Sequence, residues 1–551
     1  MAAYLDTNAG SGGAWQPAVA AKAITVEDAG EIRGAFGTVG HAGHPPAGGL
    51  RTRWRTLLAV LGPGLIVMVG DNDAGAFATY TQAGQNYGTT LLWTLLLLVP
   101  VLYVNQEMVL RLGVVTRVGH ARLILQRFGK FWGAFSAIDL FALNALTIVT
   151  EFIGISLALD TLGVPRLPGV VAAAVLTIAA AGTGDFRRFE RFAMLLVGGS
   201  FLLVPVFLLV HPPLAQIGHD FVVPRLPEGR VSDVLLLVIA IVGTTVAPWQ
   251  LFFQQSYVID KRITARFMNY EKADLWLGIV IVVLGAGAMM AFAAATFAGT
   301  PDAGGFTDAG GVAAGLAKYA GRLPSVLFAL ALLDASIIGA AAVSLSTAYA
   351  TGDVLAMRHS LNRKPGEARG FFLIYGGLIA ASAALVLVPG APLGLITEAV
   401  QTLAGVLLPS ATVFLLLLCN DRDVLGPWVN GVWLNLFTGL VIAVLLGLSV
   451  VLTASVLFPD LGTATILWLL GGSIVVALAG ALASVLTGRG PPAPQFVAEA
   501  KFAWTPPPLD SLPRARLNLA GRVWMAALRL YLAAACAMVV VRVAQLALHG
   551  G

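Results

Sequence analysis

Charged residues are scarce in this sequence. Asp, Glu, Lys and Arg make up 11% of the 551 residues, whereas a soluble domain has about 25%. The hydrophobic share is 58% and the mean hydropathy is +0.83. A water-facing fold cannot hide so much apolar surface. The composition therefore excludes a soluble enzyme, a disordered scaffold and a nucleic-acid-binding protein.

Cysteine is almost absent as well. Cys419 and Cys536 are the two cysteines of the chain, and both fall within or at the edge of apolar segments. A disulfide framework and a thiolate metal cluster are therefore excluded. The sequence also contains no H-E-x-x-H, G-x-S-x-G or P-loop pattern. We expect the protein not to be an enzyme and to need no cofactor.

Long apolar runs are abundant, and each is long enough to cross a hydrocarbon core of ~30 Å as a helix. They lie near residues 57–80, 89–110, 133–159, 168–182, 192–210, 232–257, 274–297, 325–350, 370–389, 393–418, 430–456, 464–487 and 523–547. This pattern predicts an all-α polytopic membrane protein whose immediate partner is the lipid bilayer. It leaves the oligomeric state open, with a monomer among the options.

The same pattern divides the chain into four parts. Residues 1–50 are Gly- and Ala-rich and predict a flexible cytoplasmic tail, and residues 51–488 form the transmembrane domain. A Pro-rich cytoplasmic linker follows at 489–522. The last segment, 523–551, is either a transmembrane or an interfacial helix, since it carries Arg529 and Arg542.

Basic residues predict the orientation. Lys and Arg concentrate in the loops after the even-numbered segments and just before the first one. Because cytoplasmic loops carry the excess of Lys and Arg, we expect a multi-pass protein of the cell membrane with a cytoplasmic N-terminus.

Two apolar segments contain breaks. The first holds VGDNDAGAFAT (69–79) and the sixth holds GTTVAPWQLFFQQS (243–256), with Pro248 in mid-span. These are corresponding positions of two five-segment halves. Interrupted segments at matching positions of two halves indicate a transporter binding site near the middle of the bilayer, where unwound backbone survives if it lines a wet cavity.

Ionisable residues within the apolar segments are candidates for function because each is costly in lipid. They are Asp71, Asp73, Glu107, Asp139, Glu151, Asp334 and Glu398. Asp73 lies in the break of the first segment and is the strongest candidate for an ion ligand, and Asp334 is a candidate for ion handling. Asp71 either serves an outer vestibule or is solvated. The acids of the second and third segments either function or pair with backbone or arginine near a helix end.

These motifs resemble the NRAMP divalent-metal transporters. GPGLIVMVGDNDAGAFATYTQAGQNYGTTLLW (62–93) is similar to the first-helix signature of that family, and LTIVTEFIGIS (146–156) to its third helix. GTTVAPWQLFFQQS lies where the family has G-A-T-I-M-P-H, and AVQTLAGVLLP (399–409) resembles the tenth helix. The resemblance implies a LeuT-like inverted repeat of five plus five helices, with additional C-terminal helices and the metal held between the two breaks.

The ligand set that the resemblance implies is altered here. Asp73 keeps the family's Asp, and Gln401 matches its Gln. The Asn position is Ala76, the backbone-carbonyl position is Thr244 and the Met position is Ala247. Because soft sulfur favours transition metals over hard ions, loss of the thioether removes the main means of rejecting Mg²⁺ and Ca²⁺.

The remaining groups are hard oxygens, from Asp73, Thr244 and Gln401 with Asn72 and Asp334 as further candidates. Mg²⁺ prefers oxygen ligands and keeps several waters, for which the two alanines leave room. The pattern resembles the NRAMP-related magnesium transporters, which also carry Ala-Pro-Trp in the sixth helix. It predicts transport of Mg²⁺, and also Mn²⁺, as a partly hydrated ion.

Coupling to protons is predicted to be absent. The family's histidines of the sixth helix map to Trp249 and Gln254, and two acids of its third-helix proton route map to Phe141 and Ile148. A proton relay needs groups that change charge, and of these only Glu151 is retained. Two alternatives stay open, namely a proton-coupled Mn²⁺/Fe²⁺ transporter of the same family and an organic-solute transporter on the same fold. In the latter, Asp73 would repel a substrate carboxylate.

Overall fold

The computed structural model describes residues 31–40, 49–227, 231–389, 400, 409–458, 462, 464–473, 475, 501–502, 504–515, 517, 519 and 521–534. Most of the predicted tail 1–50, the linker before residue 501 and the end of the chain from 535 lie outside these residues.

Helices make up nearly all of the described secondary structure. The only strands in the described ranges form a hairpin of β1 (Ile32–Gly34) and β2 (Gly37–Val39). The helices are α1 (Leu50–Val60), α2 (Pro63–Val69), α3 (Ala74–Tyr87), α4 (Trp93–Thr116), α5 (His120–Phe128), α6 (Lys130–Leu162), α7 (Arg166–Ala181), α8 (Phe186–Gly199), α9 (Leu203–Val210), α10 (Leu214–Val222), α11 (Val231–Thr245), α12 (Pro248–Asp260), α13 (Met268–Phe297), α14 (Ala309–Tyr319), α15 (Arg322–Val354), α16 (Arg369–Val386), α17 (Pro409–Cys419), α18 (Arg422–Leu425), α19 (Val432–Leu457), α20 (Ala464–Ser473) and α21 (521–534). Short 3₁₀ turns occur at Ser200–Leu202, Ala265–Phe267, Gly426–Trp428 and Leu509–Ser511.

The membrane-spanning architecture predicted from hydropathy is confirmed. In the described part of the chain, eight helical stretches are long and apolar enough to cross a membrane, or nine if α1 and α2, bent by 55°, count as one. They coincide with predicted segments, and α7, α17 and α20 are shorter apolar helices at the places of the fourth, tenth and twelfth.

Both predicted breaks are present. The first separates α2 from α3 at Gly70–Asp73, and Asp73 ends it by accepting a hydrogen bond from the Ala76 amide as the N-cap of α3. The second separates α11 from α12, which begins at Pro248. Proline suits the first position of a helix because it lacks the amide hydrogen that would be unpaired there.

The start of α3 is held between two long helices. α6 and α15 pack along each other, and α3 contacts both. Close approach depends on glycine: a β-carbon at Gly154 of α6 would collide with Ala74 and Ser336, and one at Gly339 of α15 would lie 2.8 Å from the Glu151 carboxyl group. Small residues thus bring the first break against the third and eighth spans.

The hairpin docks on the bundle through buried charges. Lys261, which follows α12, donates to Glu190 Oε1 of α8 at 2.7 Å and to the carbonyl of Val60 at 2.6 Å. Ala35 of the hairpin donates its amide to Glu190 Oε2 at 2.5 Å. No sequence pattern indicated this hairpin within the predicted tail. We call this side of the bundle the hairpin end.

Candidate metal site at the two helix breaks

Two carboxyl groups meet at the N-terminus of α3. Asp73 Oδ1 accepts the Ala76 amide at 2.9 Å, and Glu151 Oε2, from α6, accepts the Ala74 amide at 3.2 Å. Asp73 is 7% exposed and Glu151 is fully buried. A helix N-terminus carries partial positive charge and unpaired amides, so the unwound segment folds with both acids turned toward it.

The carboxyl groups of Asp73 and Glu151 are direct neighbours, and Gly339 packs against both. Glu151 Oε1 has no hydrogen-bond partner. Among the ion pairs of the described residues, none involves Asp71, Asp73 or Glu151. With no lysine, arginine or histidine paired to it, this acidic group attracts a cation.

A cavity of about 30 Å³ opens beside Asp73. Holding one water takes roughly 10–15 Å³ by such a measure, so the cavity accommodates an ion with about one water. Its lining comes from the two breaks and the helix ends beside them, from α6 and from Val400. The lining residues are Asp73, Gly75, Leu143, Thr147, Thr150, Glu151, Gly243, Thr244, Ala247, Pro248, Trp249 and Val400.

The donors around the cavity are hard. The lining includes two acids and three threonines, and no cysteine, methionine or histidine lines it among the described residues. Oxygen donors suit Mg²⁺, Ca²⁺ and Mn²⁺. No group of three or more His, Cys, Asp or Glu in the described ranges surrounds one point, so a bound ion would take neutral oxygens and water as further ligands.

Trp249 lines the cavity and begins an aromatic column. It is 1% exposed, and its carbonyl accepts from Ser346 Oγ at 2.8 Å. The ring centroids of Trp249 and Phe253 are 6.1 Å apart, and those of Phe253 and Tyr257 are 4.9 Å apart. These residues lie on one face of α12, which ends next to Lys261 at the hairpin end. Gln254, also of α12, is fully buried.

Sequence reasoning and the structure agree on part of the lining. Asp73, Thr244, Ala247, Glu151 and Trp249 lie together at the cavity. Thr147 and Thr150 also line the cavity but were not predicted from the sequence. Thr147 precedes Glu151 by four residues, the spacing that puts two side chains on one helical face, so that signal was available.

Other predicted residues lie outside the lining. Ala76 is buried and offers its amide to Asp73. Asn72 donates to the Val282 carbonyl at 3.2 Å. Asp334 lies against Gly199, where α8 gives way to a 3₁₀ turn.

Asp71 and Gln401 are the last two of the predicted site residues. Asp71 accepts a hydrogen bond from Gln250 within the bundle rather than facing solvent. Gln401, predicted as a ligand, lies outside the described residues.

The paired breaks and the buried carboxylates between them define a polytopic helical membrane protein with the LeuT-like inverted repeat. A sequence profile described as Natural resistance-associated macrophage protein-like, or Nramp, matches residues 64–455. Because the match covers more than half of the chain, this chain belongs to the Nramp family.

Several characterised proteins are similar over most of their length. The divalent metal cation transporter MntH of Burkholderia ambifaria is 29% identical over 423 residues, which cover 73% of this chain and 90% of that protein. MntH of Deinococcus radiodurans is 30% identical over 397 residues, covering 68% and 85%. A crystal structure of the Eremococcus coleocola manganese transporter has a TM-score of 0.61 at 20% identity and covers 80% of this chain and 96% of that one. The last likeness concerns the fold.

Proposed function

We propose that this protein transports divalent metal ions, Mg²⁺ foremost and also Mn²⁺, as partly hydrated ions that bind beside Asp73. The observation that carries the proposal is the cavity of about 30 Å³ between the two breaks, with the Asp73 carboxylate on its wall and oxygen donors around it. Its relatives named as divalent metal cation transporters support the same class of substrate.

The preference for Mg²⁺ follows from what the cavity offers. Ala247 fills the family's thioether position and lines the cavity, so no soft donor reaches the ion there. Mg²⁺ is reluctant to lose water and is usually bound through one or two carboxylates. The carboxylates, the threonines and room for about one water offer an all-oxygen set of ligands of the kind that Mg²⁺ accepts.

Transport is driven by the membrane potential in this proposal. Trp249 and Gln254 stand at positions where the family has titratable residues and are buried, and neither side chain titrates. A divalent ion crossing ~100 mV gains roughly 4.6 kcal/mol, twice the figure for a single charge. That gain drives uptake if the hairpin end faces the cytoplasm of a cell-membrane protein, as the basic loops predict.

One observation favours a second candidate, a proton-coupled Mn²⁺/Fe²⁺ transporter. Glu151 touches Asp73 and leaves Oε1 unpaired, so it is placed to take a proton when the metal leaves. An organic-solute transporter is less well supported, because the cavity is too small for an amino acid and Asp73 would repel its carboxylate.

Flux measurements in proteoliposomes test the proposal. The parent, Asp73→Asn and the matched control Glu367→Gln, which removes an exposed carboxylate, are compared for Mg²⁺ and Mn²⁺ uptake at a clamped inside-negative potential. A dye reports internal pH. We expect uptake without acidification in the parent and control, and none in Asp73→Asn. Normal uptake by Asp73→Asn would refute the site, and acidification proportional to flux would favour the second candidate.

A further inference from the structure

A second polar cluster lies next to the cavity but does not line it. Asp71 is fully buried in the α2–α3 break, and the side-chain amide of Gln250 donates to its Oδ1. Gln250 Oε1 accepts from Gln106 Nε2 of α4 at 3.0 Å. A carboxylate and two amides thus run in a chain from the first break, through the first turn of α12, to α4.

The cluster contains unused hydrogen-bonding capacity. Asp71 Oδ2 and Gln106 Oε1 are buried without partners among the described residues. Gln106 is 1% exposed. Buried polar atoms are nearly always paired, and orphans of this kind call for an explanation such as an ion.

Neither form of the Asp71 carboxyl group is satisfied by the described residues around it. The ionised form is a buried charge, and among the described residues no Lys, Arg or His forms an ion pair with it. The protonated form would place its hydroxyl at Oδ2, which has no acceptor, because Oδ1 already receives the Gln250 amide. A bound cation satisfies the ionised form and uses Oδ2.

The available donors define the class of cation. Asp71 Oδ2 offers a carboxylate oxygen and Gln106 Oε1 an amide oxygen, both unpaired among the described residues, whereas Gln250 Oε1 already accepts from Gln106. Both unpaired oxygens are hard ligands of the kind that Mg²⁺ and Mn²⁺ accept. A divalent ion also offsets the repulsion between Asp71 and Asp73, two residues apart in one break.

The cluster is continuous with the cavity. Gln250 follows Trp249, whose ring lines the cavity and lies 3.6 Å from where a β-carbon of Gly70 would be. Gln250 Nε2 is also 3.4 Å from the Thr245 carbonyl in the second break. Since α12 runs toward the hairpin end, the cluster lies on the hairpin side of Asp73. An ion that leaves the cavity in that direction would reach the cluster next.

From this arrangement we propose that Asp71, with the amide oxygen of Gln106, forms a second station for the transported divalent ion. The proposal rests on the function proposed above. The ion passes from Asp73 to Asp71 when the Trp249 ring moves, and the second carboxylate lowers the barrier on that step.

Mn²⁺ binding to the full chain in lipid nanodiscs tests the second station. Calorimetry with Mn²⁺ gives the number of ions bound by the parent, Asp71→Asn and Asp73→Asn, and proteoliposome flux is measured on the same variants. Asn at position 71 can still accept the Gln250 hydrogen bond, so this change removes charge without breaking the contact. We expect two ions for the parent, one for each variant, and a loss of flux of at least about tenfold for Asp71→Asn, equivalent to ~1.4 kcal/mol or more.

Each other outcome has a defined meaning. Two ions and parental flux in Asp71→Asn would overturn the second station while leaving transport through Asp73 intact. Loss of all Mn²⁺ binding in Asp71→Asn would mean one shared site, and release of the second ion by excess Na⁺ would mean a monovalent site. Either overturns the proposal. Gln106→Leu serves as the second variant, since it should weaken the second binding event several-fold and leave the first unchanged.

Discussion

The size and donor set of the cavity predict how selectivity responds to Ala247→Met. Ala247 is the N-cap of α12, in extended conformation at φ −92° and ψ 142°, and it lines the cavity. Methionine would place three further heavy atoms toward a space of about 30 Å³. The water that accompanies the ion is thereby displaced, and a thioether takes its place.

The two consequences act in opposite directions on hard and soft ions. Mg²⁺ loses a water or an oxygen contact, which is worth about 1–3 kcal/mol, and thioether sulfur is a poor substitute. Cd²⁺ gains a soft ligand from the same change. Because 1.4 kcal/mol corresponds to a tenfold change in affinity, the Cd²⁺/Mg²⁺ ratio should rise at least about tenfold.

Competition between Cd²⁺ and Mg²⁺ in proteoliposomes gives this ratio directly. Ala172→Met, on the exposed face of α7, makes the same chemical change away from the cavity and should leave the ratio unchanged. Adding Ala76→Asn should have a smaller effect than Ala247→Met, since Ala76 does not line the cavity. An active Ala247→Met variant with the parental ratio would refute the reasoning and move selectivity to Thr244 and the carboxylates.

Three further predictions concern stability and packing. Lys261→Met leaves the Glu190 carboxylate buried without its lysine and should lower the free energy of unfolding by about 3–5 kcal/mol. The melting temperature of the purified protein should fall, and adding Glu190→Gln should recover part of the loss. An additive loss in the double variant would contradict the prediction. Burial lowers the pKa of His359, but the hydrogen bond and charge of Asp353 outweigh it and hold the pKa above its ordinary value. The protonated histidine therefore stabilises the fold fully below the unfolded pKa of about 6.5, and this stabilisation is lost as the pH rises through the folded pKa. The melting temperature should fall over that pH window in the parent and fall less in His359→Gln. Equal slopes in the two proteins would contradict the prediction. Gly339→Ala would put a β-carbon 2.8 Å from the Glu151 carboxyl group and should reduce metal flux in protein that still folds. Unchanged flux would mean that α15 shifts to make room and would contradict the prediction.

The spans and the two breaks could be predicted from the sequence because their causes are local. An apolar run must reach across the bilayer, whatever it packs against. Asp73 ends one break as an N-cap and Pro248 opens the helix after the other, and both residue types favour helix starts on their own chemistry. These signals need no knowledge of neighbouring helices.

The direction of individual side chains could not be predicted, because it depends on helix rotation and on distant partners. Asn72 is one residue from Asp73, yet it bonds the carbonyl of Val282, 210 positions away. Asp334 is an acid in mid-span, yet it packs on Gly199 of α8. No sequence pattern indicated a role for Gln250, although its contact with Asp71 connects the two breaks.

Charge balance links the site to the conformation that the structure describes. The first amides of α3 supply partial positive charge of roughly half a unit, while Asp71, Asp73 and Glu151 together carry up to three negative charges without a basic partner among the described residues. Asp71, Asp73 and Glu151 are all buried, and Trp249, the first ring of the aromatic column, lines the cavity together with Asp73 and Glu151. If a divalent ion binds this arrangement more tightly than a hydrated, open one, as the proposed function requires, it would by linkage stabilise closure by the same differential free energy. In the proposed transport path, an ion held by Asp73 alone would leave Asp71 uncompensated, so a second carboxylate at Asp71 would lower the barrier between the two positions equally in both directions. The ion gradient and the membrane potential would then set the net direction of transport.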